Sequence, residues 1–368
     1  MNKNKQLKVA VGMSGGVDSS VAAVLLKEQG YEVIGVFMKF WNENIKGKIR
    51  ENICCSLESA EDARRVCNKL GIPFYVIDMK APFKEKIVDN FVNEYECGRT
   101  PNPCVRCNQY IKFGELWKKL KPMGVDFVAT GHFARVGNGR DRSLRVGRDK
   151  NKDQSYFLHQ IKQKDLAHVM FPVGNYTKEQ VRKLAKKHGL STASKKESQE
   201  ICFVADGKVG EFLKRYIKFE KGPIREGVAP DSKILGQHDG LPMYTIGQRK
   251  GIGLADGPWY VSRLDKKNNT LWVSKNEDDI LAKELIVKKV NWISGTAPTL
   301  PFKCECRIRY RSENVNCQIV RRTSGSSPDN RSSNKFLVKF PKPQRAITSG
   351  QYCVFYNGDE CLGGGEIE

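Results

Sequence analysis

A short string near the N-terminus, Ser14-Gly15-Gly16-Val17-Asp18-Ser19-Ser20, has the residue types of a phosphate cradle. Gly15 and Gly16 permit positive φ and let backbone N–H groups approach an anion without a Cβ in the way. Ser14 and Ser19 add hydroxyls, and a helix starting at about Asp18 adds a favourable dipole. Asp18 is suited either to cap that helix or to hold Mg²⁺ against a phosphate. No Gly-Lys-Ser/Thr follows, which separates the string from the P-loop, and the third glycine of the dinucleotide fingerprint is missing.

The second chemistry is that of thiols. Cys104 and Cys107 lie in Gly98-Arg99-Thr100-Pro101-Asn102-Pro103-Cys104-Val105-Arg106-Cys107-Asn108, and Cys202 in Ser198-Gln199-Glu200-Ile201-Cys202-Phe203. The two prolines are expected to delay a helix until about Asn108. A thiol at the start of that helix gains thiolate character from the helix dipole and from Arg106. Zinc needs four ligands, and no second Cys-x-x-Cys supplies them; buried structural thiols are the plainer alternative. Cys54-Cys55 are adjacent and poorly placed to chelate. Cys67, Cys97, Cys304, Cys306, Cys317, Cys353 and Cys361 read as core or surface thiols.

These residues need a scaffold. From Leu7 to about Ala205, β-branched runs (Leu7–Val11, Val33–Lys39, Phe74–Met79, Val125–Thr130) alternate with amphipathic stretches (Ser19–Gln29, Leu57–Leu70, Pro82–Glu96, Ile111–Leu120). In the second stretch Leu57, Ala60, Ala63, Val66, Cys67 and Leu70 recur near the helical period. Alternating strand and helix predicts an α/β region with a doubly wound parallel sheet covered on both faces. Beyond Gly207 the texture becomes short strands between turn residues. They run over Met243–Ile246, Trp259–Leu264, Thr270–Ser274, Leu285–Trp292, Phe302–Arg311, Asn316–Val320, Phe336–Phe340 and Gln351–Tyr356. Asp265–Asn269 reads as a hairpin turn, and Glu277–Lys283 as a seam between two small β-barrel-like domains. The domains expected are residues 1–206, 207–280 and 281–368. Thr323–Asn334 is Ser-rich and polar, and reads as a loop.

The 63 Lys and Arg against 41 Asp and Glu give a net charge of +22, with 39% hydrophobic residues. That is too apolar for a disordered chain and basic enough to expect a polyanionic partner, nucleic acid before membrane. Residues Met1–Lys8 hold no signal-peptide hydrophobic region, so a cytoplasmic location is expected, where paired cysteines suggest metal or redox chemistry rather than a disulfide framework.

The Ser14–Ser19 string resembles the signature of the ATP pyrophosphatase (PP-loop) superfamily, whose members cleave ATP to AMP and pyrophosphate to adenylate a carbonyl oxygen. Six further strings follow in order: Cys54-Cys55-Ser56, Gly98–Asn108, Ala129–Arg135, Lys152–Leu158, Ile201-Cys202-Phe203 and Tyr244–Gly251. Together they resemble the bacterial tRNA-uridine 2-sulfurtransferases, nearly from end to end. The resemblance implies ATP-dependent 2-thiolation of the wobble uridine in tRNAs for Lys, Glu and Gln, on an adenine nucleotide alpha hydrolase-like fold. It places Gly12, Met13, Ser14, Gly15, Gly16, Val17, Asp18, Ser19, Met38 and Gly131 around ATP. Cys107 matches the nucleophile and Cys202 the persulfide-bearing cysteine. Asn102, Pro103 and Cys104 match the segment beside the target base. His132, Lys152, Asp153, Gln154, Arg309, Tyr310 and Gln351 match tRNA-contacting positions.

The implied chemistry is adenylation of the uridine C2 oxygen, sulfur transfer from Cys202, and resolution by Cys107 that leaves a disulfide between them. Mg²⁺ is expected with ATP, and the sulfur source is expected to be a persulfide donor or a relay protein fed by a cysteine desulfurase. A rival route uses Cys104, Cys107 and Cys202 as ligands of an iron–sulfur cluster. Arg307, Arg309 and Arg311 alternate with Ile308 and Tyr310, so a strand there predicts a cationic face for phosphates. Rival functions are another ATP pyrophosphatase, such as an amidotransferase-type ligase or a lysidine-forming enzyme, and a non-catalytic RNA-binding β-barrel protein.

Overall fold

The structure, a computed structural model, describes residues 6–45, 48–50, 52, 55–137, 142–196, 201–204, 208–227, 229, 231–321 and 335–368. Cys54, Ser198-Gln199-Glu200, the boundary at 206/207 and the Thr323–Asn334 stretch lie outside the described residues. The first strands along the chain are β1 (Lys8–Gly12), β2 (Glu32–Lys39), a small hairpin of β3 (Glu43–Ile45) and β4 (Lys48–Arg50), then β5 (Phe74–Asp78) and β6 (Phe127–Ala129). After them come β7 (Ala134–Val136), β8 (Leu144–Val146) and β9 (Val169–Met170).

Five of these form a parallel sheet in the order β5-β2-β1-β6-β9. The apolar run Val9-Ala10-Val11 is fully buried in the central strand, as a run flanked on both faces by helices requires. Because β2 pairs on one side of β1 and β6 on the other, strand order reverses at β1. The carboxyl end of that strand is therefore the switch point where open α/β sheets bind ligands. The edge strand β5 is less covered than the expectation of two buried faces, with Tyr75 and Val76 exposed.

The helix Leu57–Leu70 has the predicted bounds because Ser56 caps its N-terminus and Gly71, at φ 60°, ends it. Leu57 departs from its predicted apolar face: it occupies the first helical position and is 72% exposed. The second half of the chain begins with β10 (Gly222–Glu226), β11 (Ile234–His238), β12 (Tyr260–Asp265) and β13 (Thr270–Ser274), a four-stranded sheet in the order β11-β10-β13-β12. The predicted hairpin turn joins β12 to β13, with Asn269 at φ 46°. The Met243–Ile246 strand does not form. Leu241–Met243 is a single 3₁₀ turn, where Pro242 removes a ladder donor and Gly247 at φ 81° bends the chain away.

A 3₁₀ turn, Glu277–Ile280, leads into a barrel. Its strands are β14 (Leu281–Trp292), β15 (Phe302–Arg307), β16 (Val315–Arg321), β17 (Lys335–Arg345), β18 (Tyr352–Asn357) and β19 (Glu360–Ile367). The order β14-β17-β16-β15-β18-β19 closes through a β14–β19 pairing, which removes the open edges of a six-stranded sheet. The strand β15 stops at Arg307, and Arg311 takes φ 68°, so the predicted alternation of cations over Phe302–Arg311 does not exist.

The barrel and the α/β region are built into one another. Strands β7 and β8, from the first half of the chain, continue the barrel sheet from β19. In β18, Tyr352, Val354 and Tyr356 join the α/β core while Cys353 and Phe355 join the barrel core, the period-two division of a strand buried on both sides. The Tyr156 hydroxyl donates to the Tyr352 carbonyl at 3.0 Å, and Asn291 Nδ2 donates to the His159 carbonyl at 2.8 Å.

His159 sits at this joint, fully buried, with Nδ1 donating to the Tyr156 carbonyl at 2.6 Å. Burial pushes its pKa down to about 4. It stays neutral in the folded chain while the unfolded chain takes up a proton below about pH 6.5. Stability is therefore full above pH 6.5 and falls as the pH drops toward 4, by at most about 3 kcal/mol from this residue. Melting temperatures across that window should show a slope shallower by about one proton in His159→Asn; an unchanged slope would assign the acid sensitivity elsewhere.

Candidate active site

The glycine loop lies at the switch point. Gly15 takes φ +69°, and a Cβ there would stand 2.4 Å from the Ser59 carbonyl oxygen, so the start of the Leu57–Leu70 helix presses directly on the loop. Gly16 takes an ordinary φ of −99°, so only one of the two glycines needs the left-handed region. Gly16 caps the Val17–Glu28 helix without a side-chain acceptor, and Asp18 lies in the first turn rather than at the cap. The loop is braced from within. Ser14 N donates to Ser19 Oγ at 3.2 Å, Ser19 Oγ donates to the Gly16 carbonyl at 3.1 Å, and Ser20 Oγ donates to the same carbonyl at 2.9 Å.

Two neighbouring strand ends close over this loop. The Met38 methyl lies 3.8 Å from an added Cβ on Gly12, beside the Thr130 methyl at 3.5 Å. Met13 and Val17 are buried beneath. A Cβ on Gly131 would stand 2.6 Å from both the Asp18 carbonyl carbon and the Ser19 nitrogen, so only glycine allows that approach. All ten residues expected around ATP thus belong to one loop cluster formed by β1, β2 and β6.

Sequence reasoning missed Lys178. Its ammonium donates to both carboxylate oxygens of Asp18, at 2.7 and 2.8 Å, and lies 5.6 Å from the centre of the Phe133 ring. Lys178 is only 8% exposed, and it starts a helix, Lys178–Lys187, capped reciprocally by Thr177 and Gln180. The Thr-x-x-Gln pattern marks the helix start, but nothing local reveals a partner 160 residues away. Asp18 is therefore an anchor for a cation beside the phosphate loop. Among the described residues no three His, Cys, Asp or Glu side chains converge to hold a metal, so a Mg²⁺ brought with ATP would depend on phosphate oxygens for most of its ligands.

The cysteine segment differs from expectation. The helix starts at Pro103, not at Asn108: Asn102 caps it by accepting from Val105 N, and Pro103 sits at the first position, where its missing N–H costs nothing. Cys104 falls in the first turn and is exposed; Cys107 is one turn further and 8% exposed. From Cys107 to Glu115 the helix widens to π geometry, a form that recurs at functional sites. Arg106 is turned away to the Lys86 carbonyl at 3.2 Å and over the Tyr110 ring. Asn108 Nδ2 donates to the Phe157 carbonyl at 3.1 Å.

Cys202 is partly exposed, and the next residue, Phe203, is buried edge-on against Phe83 and Phe91. Those two rings belong to a helical run made of Lys80–Phe83, Lys84–Asp89 and Asn90–Glu96, which also supplies the carbonyl that holds Arg106. One helical run therefore supports both the Cys107 helix and the Cys202 loop, and neither thiol is in a disulfide. Among the described residues, Cys104, Cys107 and Cys202 do not converge as a group of three metal-ligating side chains.

The segment before the cysteines is the meeting point of the chain. Thr100 N donates to the Ser349 carbonyl at 2.9 Å, and Gln351 Nε2 donates to the Thr100 carbonyl at 2.7 Å. The Thr100 hydroxyl lies 3.2 Å from that of Thr245, in the Tyr244–Gly251 string. The remaining positions matched to tRNA contacts divide in two. Asp153 is buried and engaged by Arg307 at 2.7 Å, Ser155 and Gly147 N, so it joins the α/β region to the barrel. Gln154 accepts from Phe133 N at 3.0 Å and braces the turn that carries Gly131 and His132. Arg309 donates to the Ala346 carbonyl and to Thr348 Oγ1, and the Tyr310 ring packs 4.2 Å from that of Phe157. His132 Nδ1 bonds the Thr130 hydroxyl at 2.6 Å between the rings of Phe113 and Phe171, and burial holds its pKa well below the usual value. Lys152 is partly exposed on the turn beside them.

A parallel sheet with a glycine loop at its switch point, followed by two β domains, defines a PP-loop nucleotide enzyme with appended barrels. Family models agree along the chain: a tRNA methyl transferase HUP domain matches residues 7–206, a PRC-barrel domain 210–275, and an aminomethyltransferase β-barrel domain 282–367. The chain is 45% identical over 365 residues to the tRNA-specific 2-thiouridylase MnmA of Clostridium botulinum, covering 98% of each. It is 46% identical over 375 residues to the protein of that name from Clostridioides difficile, covering 100% of this chain and 99% of the relative. The Geobacillus thermodenitrificans relative is 44% identical over 375 residues. The chain belongs to the tRNA-specific 2-thiouridylase family, and it is an enzyme.

The geometry makes two demands on ATP binding. Replacing Lys178 by Met removes the bidentate partner of Asp18 and should weaken ATP binding about tenfold or more by titration calorimetry, with partial recovery in Lys178→Arg. Gly131→Ala forces a Cβ into backbone and should abolish ATP binding while circular dichroism stays native. Unchanged affinity in either variant would contradict this assignment of the loop.

Proposed function

We propose that the chain 2-thiolates the wobble uridine of tRNAs for Lys, Glu and Gln, consuming ATP and releasing AMP and pyrophosphate. The observation that carries this reading is the pairing, on one α/β scaffold, of a phosphate loop at the switch point with two cysteines outside any disulfide that rest on a shared helical run.

The C2 carbonyl of uridine is a poor electrophile and its oxygen a poor leaving group. Backbone amides and the Ser14 hydroxyl hold the triphosphate, Ser19 braces the loop from within, and Lys178 supplies positive charge beside it. The C2 oxygen attacks the α-phosphorus and expels pyrophosphate, so the oxygen can depart as part of AMP. The terminal sulfur of a Cys202 persulfide then attacks C2 and AMP leaves. Cys107 thiolate attacks Cys202 Sγ, releasing the 2-thiouridine and leaving a Cys107–Cys202 disulfide, which two external thiols reduce. In this reading the base approaches Cys107 past Asn102, Pro103 and Cys104, which the solvent exposure of Cys104 at the helix start supports. The base leaves the anticodon stack to reach them, as buried chemistry on bases requires. The cytoplasm, where a relay protein fed by a cysteine desulfurase can reload Cys202, fits this cycle.

A basic surface supports the RNA partner. Arg249 and Lys250, on the same Tyr244–Gly251 string that touches Thr100, line an open depression of about 470 Å³ between the central domain and the barrel, beside the Arg345–Glu277 pair.

Unmodified tRNA incubated with ATP, Mg²⁺ and a persulfide donor should yield 2-thiouridine by nucleoside mass spectrometry. Cys107→Ser and Cys202→Ser should each lose thiolation at least a thousandfold while tRNA-dependent pyrophosphate release persists. An anaerobically purified, active preparation should contain no iron. Good tRNA binding without pyrophosphate release would overturn this function.

A further inference from the structure

Four thiols of the C-terminal barrel take no part in that reaction. Cys304 on β15 stands directly opposite Cys317 on β16 in the antiparallel register, with the two sulfurs 3.6 Å apart. Cys306, two residues along the same face, is fully buried, and its thiol reaches those of Cys317 and Cys353. All four belong to the barrel core. No three ligating side chains among the described residues fit a metal, so this is a cluster of thiols rather than a zinc site.

We propose that Cys304 and Cys317 are a reversible dithiol–disulfide site that exchanges with low-molecular-weight disulfides and staples the β15–β16 hairpin. This does not rest on the tRNA chemistry. Directly opposed Cβ atoms in an antiparallel pair lie about 4.5–5.5 Å apart, and a disulfide spans about 3.5–4.5 Å, so bond formation asks for a shift on the order of 1 Å. The neighbouring sulfurs are asymmetric. A Cys317 thiolate accepts from the thiols of Cys304 and Cys306, which pulls its pKa down to about 5, while the same sharing pushes Cys304 up. Cys304 is the only one of the four that is not fully buried, so an external disulfide meets it first.

The exchange balances without further reagents. Cys304, passing its proton to the Cys317 thiolate, attacks one sulfur of R–S–S–R, forming a mixed disulfide and releasing RS⁻, which takes up that proton. Cys317 thiolate then attacks Cys304 Sγ and expels the second RS⁻, protonated from water. Two protein thiols are oxidised, one external disulfide is reduced to two RSH, and the reverse steps restore the thiols.

The position gives the bond a consequence. The residues between the two cysteines include Arg307, which pairs with Asp153, Arg309, and Tyr310, which packs on Phe157. A staple at the base of this hairpin holds those contacts against the turn that carries Gln154.

The full-length reduced protein, equilibrated anaerobically in buffers of reduced and oxidised glutathione, is quenched with acid, alkylated and digested without reductant. A linked Cys304–Cys317 peptide should appear in mass spectra as the glutathione ratio becomes oxidising, and vanish with dithiothreitol. Melting temperature should rise by about 5–10 °C in the linked form. Cys304→Ser should lack both changes, and a Cys107→Ser, Cys202→Ser double variant should keep them, which separates this bond from the one in the catalytic cycle. Because the linked peptide is read in the native chain, the result does not depend on any variant folding. Four freely alkylated thiols at the most oxidising ratio, a stable glutathione adduct on Cys304, or a link through Cys306 would each overturn the proposal.

Discussion

The backbone at Thr100 is the constraint on which the rest of the arrangement depends. Its N–H and carbonyl are bonded to the C-terminal barrel and its hydroxyl to the central domain, while two residues later Asn102 caps the helix that carries Cys104 and Cys107. Backbone polar groups drawn out of water must find partners, and here both come from barrel residues roughly 250 positions away along the chain, while the hydroxyl meets Thr245 roughly 145 positions away. The cysteine helix is thus oriented by both β domains at once. Gly350 reinforces the joint: a Cβ there would come within 3.0 Å of the Thr100 backbone. Without the β domains, the start of this helix would lose the bonds that aim it.

Charge is divided by the same logic. The large basic excess suggests a polyanion, but several of its cations are structural. Arg307 is spent on buried Asp153 and Arg99 on Glu94. Each of these pairs joins segments or braces the functional loops, and breaking one would leave a poorly solvated charge. The cations left to face RNA are those at open surfaces, such as Lys250 and Arg249 at the seam between the β domains.

Much of the α/β half was legible because its signals are local. The Val9–Val11 run is bounded by turn residues, and the Leu57–Leu70 helix carries its own cap and stop. The phosphate loop was readable because close backbone approach needs glycine, at Gly15 and again at Gly131. What escaped was non-local. The three-residue strands β7 and β8 have no period long enough to read, and β19, which pairs with β8, lies over 200 positions later. The pair Pro101 and Pro103 predicts a delayed helix, yet proline at the first helical position is neutral. The Arg307–Arg311 alternation looked like a strand face, but the backbone leaves the ladder at Arg307 and sends Arg309 inward. Lys178 was invisible for the same reason as β7 and β8.

The account joins a phosphate loop to a pair of thiols through one chemical claim, that ATP turns the uridine C2 oxygen into a leaving group. The most direct measurement is isotopic. A tRNA carrying ¹⁸O at C2 of the wobble uridine is turned over once with ATP and a persulfide donor, and AMP and pyrophosphate are analysed by mass spectrometry. The account predicts one ¹⁸O in the AMP phosphate for each 2-thiouridine formed. Label in water or in pyrophosphate, with AMP unlabelled, would contradict it.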